Sequence, residues 1–277
     1  MAPDPIRILF VGDLVGDRGP HGGLPLLERL LPRIRDDEAI DAVIVNAENV
    51  ALTGPSPLAG CGLTPDALER LWAVGVDAVT GGNHSWDGPH ADDVHTDPRV
   101  VRPLNYGSHA PGEGATVVDV AGVRLGVVNL VSRTALPMAD HPYDALGHRL
   151  TGWNGDVDAV LVDFHGESVS EKQVFAWSYA GRVAAIVGTH THVATLDARI
   201  LPGGTAYVSD VGMTGPDGGM QGYAPDPFIA SMRARIRSRE AGAFADGPAT
   251  LGAVVIDIED GRATAIRRCD PRMGDTE

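Results

Sequence analysis

Short runs of apolar residues, each followed by polar side chains, recur along the first two thirds of the chain. These runs are Ile6–Val11, Ala42–Val45, Val76–Val79, Ala159–Val162 and Ala184–Val187. They lack the alternation of apolar and polar positions that a strand with one solvent-exposed face shows. Uninterrupted runs of Val, Ile and Leu predict strands buried on both faces, as in a sheet covered by helices.

Segments with helical spacing of apolar residues separate these predicted strands. Leu24–Ile34 carries apolar side chains at positions 26, 27, 30, 31 and 34, which lie on one face of a helix. Thr64 followed by Pro65 predicts the start of a second helix over Ala67–Val74. Glu171–Tyr179 is a weaker third candidate. The alternation of strand and helix up to about residue 195 predicts an α/β layered fold.

The rest of the chain is richer in strand patterns. The predicted strands there are Thr116–Val120 and Val123–Asn129, which form a hairpin, and Thr205–Val208, Gly252–Ile258 and Thr264–Ile266. Phe228–Ser238 is predicted to form an amphipathic helix. Two stretches rich in Gly and Pro, Thr53–Gly62 and Gly212–Pro227, are predicted to be long loops. No repeat or linker interrupts the pattern, so we expect residues 1–277 to form a single domain.

The amino-acid composition and net charge limit the classes of molecule that the protein is expected to bind. The chain has 277 residues, of which 43% are hydrophobic, so it can bury a sizeable core and is not a disordered protein. Lys and Arg total 22 against 37 Asp and Glu, which gives a net charge of −15. A field of that sign repels polyanions, so direct binding of long nucleic acid or of an anionic membrane is not expected. A small phosphorylated ligand stays compatible, because a metal ion can reverse the local field.

Cysteine usage and the N-terminal residues point to a cytoplasmic protein. Cys61 and Cys269 lie far apart and form no C-x-x-C pair, so a disulfide scaffold is not expected. The run Ile8–Val11 is far too short for a signal peptide, and no apolar run approaches the ~18 residues of a membrane span. We therefore predict a soluble protein in a reducing cytoplasm.

Polar residues of the types that bind metals follow the predicted strands. They are Asp13, Glu48, Asn49, Asn83, His84, His165, His190 and His192. If the strands are parallel, their carboxyl ends share one edge of the sheet, where open α/β sheets bind ligands. The set has oxygen and imidazole donors without thiolate, which suits two divalent or mixed-valence first-row ions such as Fe, Mn or Zn.

Taken singly, several of these residues have simpler explanations. Asp13 after Gly12 is compatible with a turn or helix cap, and the segment 46–49 with an ordinary loop. His190 and His192 form the strongest pair, because alternate residues of an extended chain point the same way. The other histidines are expected at the surface, at positions 21, 90, 95, 109, 141 and 148, and Trp86 is expected in the core rather than in a lid.

Together the motifs resemble the metallophosphoesterase (calcineurin-like) superfamily, and within it the bacterial YmdB-like phosphodiesterases. The superfamily resemblance rests on Gly12-Asp13, Gly82-Asn83-His84 and Gly188-Thr189-His190-Thr191-His192. The closer resemblance adds Asn46-Ala47-Glu48-Asn49, Ser85-Trp86-Asp87, Arg102-Pro103-Leu104-Asn105, Asp163-Phe164-His165 and Asp210-Val211-Gly212-Met213-Thr214-Gly215-Pro216. These motifs run in order along nearly the whole chain.

The resemblance implies a fold and a set of roles. The fold would be an α/β/β/α sandwich, in which two sheets lie between layers of helices. One metal ion would be held by Asp13, Glu48, Asn49 and His192, and the other by Glu48, Asn83, His165 and His190, with Glu48 bridging the two. His84 would be the proton donor. Asp87 is a candidate for orienting His84, and a simple turn carboxylate is an equally good interpretation of it.

The expected activity is therefore hydrolysis of small phosphodiesters, with 2′,3′- or 3′,5′-cyclic nucleotides as the first choice. A hydroxide bridging two Fe or Mn ions, or Zn ions, would attack phosphorus, and His84 would protonate the leaving oxygen. Three alternatives stay open: a phosphomonoesterase, a regulatory protein with a structural or weakly catalytic metal site, and an RNA-processing role with a partner that binds the RNA. The sequence also leaves a homo-oligomer open.

Overall fold

Two six-stranded sheets dominate the computed structural model of the chain, which describes residues 4–51, 61–134, 138–236 and 244–269. In chain order, the first strands are β1 (Ile6–Val11), β2 (Ala42–Asn46), β3 (Ala78–Thr80), β4 (Val100–Val101), β5 (Ala115–Val120), β6 (Val123–Val131) and β7 (Ala159–His165). They are followed by β8 (Ala185–Thr189), β9 (Arg199–Leu201), β10 (Thr205–Val208), β11 (Thr214–Pro216), β12 (Ala249–Leu251), β13 (Ala253–Glu259) and β14 (Arg262–Arg268).

The strand order places the carboxyl ends of several parallel strands at neighbouring positions. The first sheet has the order β14-β13-β1-β2-β3-β4, and β1 to β4 are parallel. The second sheet has the order β5-β6-β7-β8-β10-β9, in which β6, β7, β8 and β10 are parallel. The predicted hairpin of β5 and β6 is present and antiparallel. A small separate pair, β11 and β12, joins the segment after Asp210 to the C-terminal strands.

The helices of the described residues are α1 (Gly23–Glu38), α2 (Pro65–Ala73), α3 (Ala91–Val94), α4 (Pro142–Trp153), α5 (Val169–Tyr179) and α6 (Asp226–Ala234). Helices α1 and α2 cover the outer face of the first sheet, and α4 and α5 cover that of the second. Thr64 caps α2 as predicted, since its hydroxyl accepts a hydrogen bond from the backbone N–H of Ala67 at 3.2 Å.

Three apolar clusters separate the layers and explain the uninterrupted apolar runs. Along β1, Leu9 and Val11 pack towards α1 and α2, whereas Ile8 and Phe10 pack between the two sheets. A third cluster, which includes Phe175, lies between the second sheet and helices α4 and α5. Both faces of the central strands are therefore buried, as predicted, and the architecture is the expected α/β/β/α sandwich.

Some local predictions were wrong. Helix α4 was not predicted, because it buries few apolar side chains, and the predicted loop Gly212–Pro227 contains the strand β11. The helix predicted over Phe228–Ser238 is α6, which ends at Ala234 and buries none of its side chains. His95 is buried rather than at the surface, because its ring stacks on Trp86, and His21 is half-buried. The predicted loop Thr53–Gly62 lies outside the described residues except for Cys61 and Gly62.

Within the described ranges, the helices are too short or too polar to cross a lipid bilayer.

Candidate metal centre

The predicted ligand residues come together where strands of the two sheets end. Asp13, Glu48 and Asn49 follow β1 and β2, and Asn83 and His84 follow β3 of the first sheet. His165 is the last residue of β7, and His190 and His192 follow β8 of the second sheet. Hydrogen bonds and ion pairs link all of these residues into one network. The site therefore lies between the sheets rather than at the edge of a single one.

His165 is the centre of one half of this network. Its Nε2 atom lies 3.0 Å from Glu48 Oε1, 3.0 Å from Asn83 Oδ1 and 3.0 Å from His190 Nδ1. One ring nitrogen carries at most one hydrogen, so it cannot satisfy all three neighbours by hydrogen bonding. Ligand atoms ~2.1 Å from a shared octahedral cation lie ~3.0 Å from one another. The spacing therefore fits donor atoms arranged around a cation.

The other half of the network joins Asp13, Glu48, Asn49 and His192. Asn49 Nδ2 lies 3.3 Å from Glu48 Oε1 and 3.3 Å from His192 Nε2. His192 Nε2 lies 4.0 Å from Asp13 Oδ1. Glu48 thus contacts members of both halves, which is the position that a bridging carboxylate requires.

Hydrogen bonds outside the network direct the histidine nitrogens. Thr189 Oγ1 donates to Asp163 Oδ1 at 2.6 Å, so it must accept the hydrogen of His165 Nδ1, 2.9 Å away. His192 Nδ1 donates to the carbonyl oxygen of Gln221 at 3.0 Å. In both rings Nε2 is therefore the nitrogen that faces the site. Such outer partners orient metal-binding imidazoles in many proteins.

His190 presents its other nitrogen. Its Nδ1 atom faces His165, whereas its Nε2 atom lies 3.3 Å from Glu167 Oε2. Burial and the neighbouring charge of His165 lower the pKa of His190 to about 3, so the ring is neutral near pH 7. Neutral imidazole is the form that binds metals.

Burial and the neighbouring histidines have opposite effects on the pKa values of the buried carboxylates of the site. Burial raises the pKa of Asp13, against the charges of His192 and His165. Burial alone would also raise the pKa of Glu48, but the charge and hydrogen bond of His165 outweigh it and lower that pKa. In turn, burial would lower the pKa of His165, but the charges of Glu48 and Asp13 raise it. Two adjacent buried carboxylates with amide and imidazole donors beside them are well suited to divalent cations.

Because Gly82 has no side chain, it leaves room for the carboxylate of Glu48 and the ring of His165. A Cβ atom added at Gly82 would overlap Glu48 Oε2 and would lie 2.5 Å from His165 Nε2. Glycine is therefore required here for steric reasons.

His84 joins the network through its backbone, and its ring lies beside the proposed ligands. Its backbone N–H donates to Glu48 Oε2 at 3.0 Å, and its ring Nδ1 lies 2.7 Å from Asp87 Oδ2. Burial would lower the pKa of His84, but a hydrogen bond with Cys61, the charge of Glu48 and the Asp87 carboxylate raise it to about 10. The protonated form that a proton donor needs is thereby favoured, and cations bound by Glu48 would oppose this shift.

A buried ion pair supports the loop that carries His190 and His192. Lys172 Nζ donates to Thr189 O at 2.7 Å and to Asp210 Oδ2 at 2.9 Å. Asp210 also accepts the backbone N–H of Thr191 at 3.1 Å. Both histidines have left-handed backbone, with φ of 99° and 63°. They face the site through this strained turn rather than through the alternation of an extended chain, which was the reason given in the prediction.

Sequence reasoning assigned no supporting role to Asp163, Thr189 or Asp210, which it named only as parts of motifs, and none to Lys172. Lys172 is the only lysine among the 277 residues, and it is buried. The presence of a single lysine in the sequence was a signal that could have identified this position. The roles of Asp163 and Thr189 depend on contacts between distant strands, which no local pattern shows.

The chain is similar to several known proteins over nearly its whole length. The sequence model of the YmdB-like protein family matches residues 9–269. A 2′,3′-cyclic-nucleotide 2′-phosphodiesterase of Bacillus subtilis is 39% identical over 263 residues, which cover 95% of each chain. The crystal structure of a hypothetical protein from Thermus thermophilus has a TM-score of 0.86 at 37% identity, over 96% of this chain and 99% of that one.

A further solved structure, of a novel phosphatase from Mycoplasma pneumoniae, has a TM-score of 0.87 at 31% identity. It covers 98% of this chain and 94% of its own. The family match spans nearly all of the described residues and includes every predicted ligand. The chain belongs to the YmdB-like protein family.

Proposed function

We propose that this protein is a phosphodiesterase with two metal ions that hydrolyses small cyclic nucleotides, with 2′,3′ or 3′,5′ linkage. The coarser class follows from the family: the protein is a metal-dependent phosphoric ester hydrolase. The observation that carries the proposal is the convergence of Glu48, His165 and His190, whose ligand atoms all lie within 4.8 Å of one another.

The two halves of the network define the proposed ligand sets. Asp13, Glu48, Asn49 and His192 would hold one ion, and Glu48, Asn83, His165 and His190 the other. Bound there, two cations would withdraw charge from the phosphate oxygens and activate water at neutral pH. We favour Fe or Mn, with Zn as a further candidate, because the donors are oxygen and imidazole.

His84 has the position of a proton donor in this proposal. The His84 side chain is 25% exposed, and its ring nitrogen Nδ1 contacts Asp87, which belongs to neither proposed ligand set. His84 is also the residue next to Asn83 in the chain. The Asp87 carboxylate holds Nδ1, so the opposite nitrogen, Nε2, is directed away from Asp87. That contact supports the orienting role of Asp87 over a simple turn carboxylate.

A neighbouring cavity supports a diester substrate over a monoester. The cavity has a volume of about 750 Å³, and Tyr106 and Arg102 lie in its wall. The Tyr106 ring packs on Trp86, two residues after His84, with centroids 4.6 Å apart. Burial and the charges of Glu48 and Asp87 raise the pKa of the Tyr106 hydroxyl. A second ester arm, such as a nucleoside, has room there.

The proposal is tested with protein loaded with Mn²⁺ and supplied with 2′,3′-cyclic AMP, 3′,5′-cyclic AMP or the corresponding monophosphates. We expect hydrolysis of at least one cyclic nucleotide to a nucleoside monophosphate, which then accumulates. Tyr106→Ala should raise KM for that substrate more than it lowers kcat. Release of inorganic phosphate from the monophosphates without attack on either cyclic nucleotide would favour the phosphomonoesterase alternative instead.

Location and assembly are part of the same proposal. Cys61 and Cys269 are not joined in a disulfide within the described residues, which agrees with the expected reducing cytoplasm. A homo-oligomer is compatible with the proposed site, because each ligand set comes from one chain.

A further inference from the structure

A second group of metal-binding side chains adjoins the centre described above. One ligand atom each from Cys61, His84 and Asp87 lies within 4.8 Å of the other two. Cys61 is buried, and the other two side chains are partly exposed. We propose that these three residues form a separate binding site for a soft divalent cation, of which Zn²⁺ is the typical example.

The donor types separate this site from the main centre. A thiolate, an imidazole and a carboxylate form a ligand set typical of zinc, whereas the main centre offers oxygen and imidazole donors alone. Zinc binds such atoms at ~2.0–2.3 Å, which places tetrahedral ligands ~3.3–3.8 Å apart. The His84 ring nitrogen and the Asp87 carboxylate oxygen are closer than this in the metal-free arrangement, at 2.7 Å, so they would have to move slightly apart to ligate one ion. Small side-chain rotations would bring all three onto one ion.

An acidic cavity gives a cation access to the cluster. Cys61 and Asp87 both line a cavity of about 610 Å³, together with Asp17 and Asp66. Asp17 is 3% exposed, and its Oδ1 atom has no hydrogen-bond partner in the part of the chain that the structure describes. Arg18 and His90 line the same cavity, and Arg18 Nε lies 3.6 Å from Asp17 Oδ2. The carboxylates outnumber the arginine, so the cavity attracts cations.

Occupation of this site would inhibit the enzyme. A single imidazole cannot ligate a cation and also act as the proton donor proposed for His84, because a ligating imidazole is neutral. This inhibitory consequence rests on the proposed function. The binding site itself rests only on the three side chains and their cavity.

Cobalt provides a direct test of the site that needs no turnover. Co²⁺ is added to protein already loaded with Mn²⁺, and the thiolate-to-cobalt absorption in the near ultraviolet is recorded. We expect the band in the unmodified protein and in Cys269→Ser, its loss in Cys61→Ser, and its displacement by Zn²⁺. Circular dichroism checks that each variant is folded. Absence of the band in the unmodified protein, or its persistence in Cys61→Ser, overturns the proposal.

Inhibition is tested separately on the hydrolysis of 2′,3′-cyclic AMP by Mn²⁺-loaded protein, because a poor leaving group depends on the proton donor. Each variant is compared with its own activity without Zn²⁺. Cys61→Ser should need at least ~10-fold more Zn²⁺ for half inhibition, and Cys269→Ser should match the unmodified protein. Equal Zn²⁺ inhibition in all three would contradict the inhibitory role, since it would reflect exchange at the main centre. A protein that shows the cobalt band but hydrolyses no ester would contradict the proposed function and leave the zinc site supported.

Discussion

Among the histidines at the site, His84 differs because its ring pairs with the partly exposed carboxylate of Asp87 and with none of the ligands proposed for the main centre. Asp87 holds its Nδ1 atom at 2.7 Å, whereas the rings of His165 and His190 face each other at 3.0 Å. In the proposed function, this difference separates the group that would move a proton from the groups that would hold a cation. It also makes the two roles separable by substitution.

Replacing His84 should reduce catalysis without removing metal. His84→Gln is expected to lower kcat for a cyclic nucleotide by at least tenfold, and by up to ~10²–10⁴-fold, because a poor leaving group needs a proton. The loss should be smaller with bis-p-nitrophenyl phosphate, whose leaving group is a weak base. Elemental analysis should find the same metal content as in the unmodified protein. His109→Ala is the control, since His109 is exposed and belongs to neither proposed ligand set. Loss of metal in His84→Gln would identify His84 as a ligand and remove its proposed role.

At this scale the sequence predicted the residues of the site better than their geometry. All of the predicted ligands lie in one network. They could be predicted because a polar residue directly after a buried parallel strand lies at the carboxyl edge of the sheet. The orientation of each ring could not be predicted. It depends on Thr189, Asp163 and Gln221, whose hydrogen bonds join segments far apart in sequence.

At the scale of secondary-structure elements, two segments position the site: Gly82, which follows β3, and the loop that follows β8. The apolar runs predicted that β3, β7 and β8 exist, but they did not predict where the strands end. Strands β7 and β8 extend to His165 and Thr189, beyond their predicted ends. Helix α4 was missed because only Pro142 and Leu146 are buried in it. The left-handed turn at His190 and His192 was missed because positive φ in a residue other than glycine leaves no mark in the sequence.

A methyl group at Gly82 should abolish metal binding. Gly82→Ala would force Glu48 and His165 apart, so the protein is expected to lose the ion that these residues share, with a matching loss of activity. Gly152→Ala is the matched control: nothing lies within 4 Å of its added Cβ, and in helix α4 it should stabilise the protein by ~0.5–1 kcal/mol. Full metal content in folded Gly82→Ala would show that the donor atoms do not meet there.

Breaking the buried Lys172–Asp210 pair should be costly. Lys172→Met leaves the Asp210 carboxylate buried without its cation, so the free energy of unfolding in urea should fall by ~3–5 kcal/mol. The double variant Lys172→Met/Asp210→Asn should recover part of that loss. For comparison, Arg33→Met breaks an exposed pair at 3.0 Å and should cost less than ~1 kcal/mol. Equal effects of Lys172→Met and Arg33→Met would show that the pair does not brace the loop.

At the scale of the whole molecule, the two sheets bring together residues that are far apart in the sequence. Asp13 and His190 are 177 positions apart, yet Asp13 Oδ2 accepts the backbone N–H of His190 at 3.0 Å. The layered class could be predicted from buried strands and helices alone, but the order of strands required the family resemblance. The single domain over residues 1–277 stays a prediction.

The net charge of −15 bears on the RNA-processing alternative. Because the overall field repels polyanions, a 20-nucleotide RNA should show no binding up to ~100 µM protein in 0.15 M salt. Fluorescence anisotropy of a labelled oligonucleotide measures this directly. Micromolar binding by the protein alone would revive that alternative and point to a basic surface that the overall charge conceals.

The central claim is a two-metal centre that hydrolyses phosphodiesters, and metal analysis paired with activity tests it most directly. Protein purified without chelators is assayed for metal content, and for hydrolysis of bis-p-nitrophenyl phosphate and p-nitrophenyl phosphate. We predict close to two transition-metal ions per chain and faster hydrolysis of the diester. Protein without bound metal that stays inactive after addition of Mn²⁺ or Fe²⁺ would contradict the account.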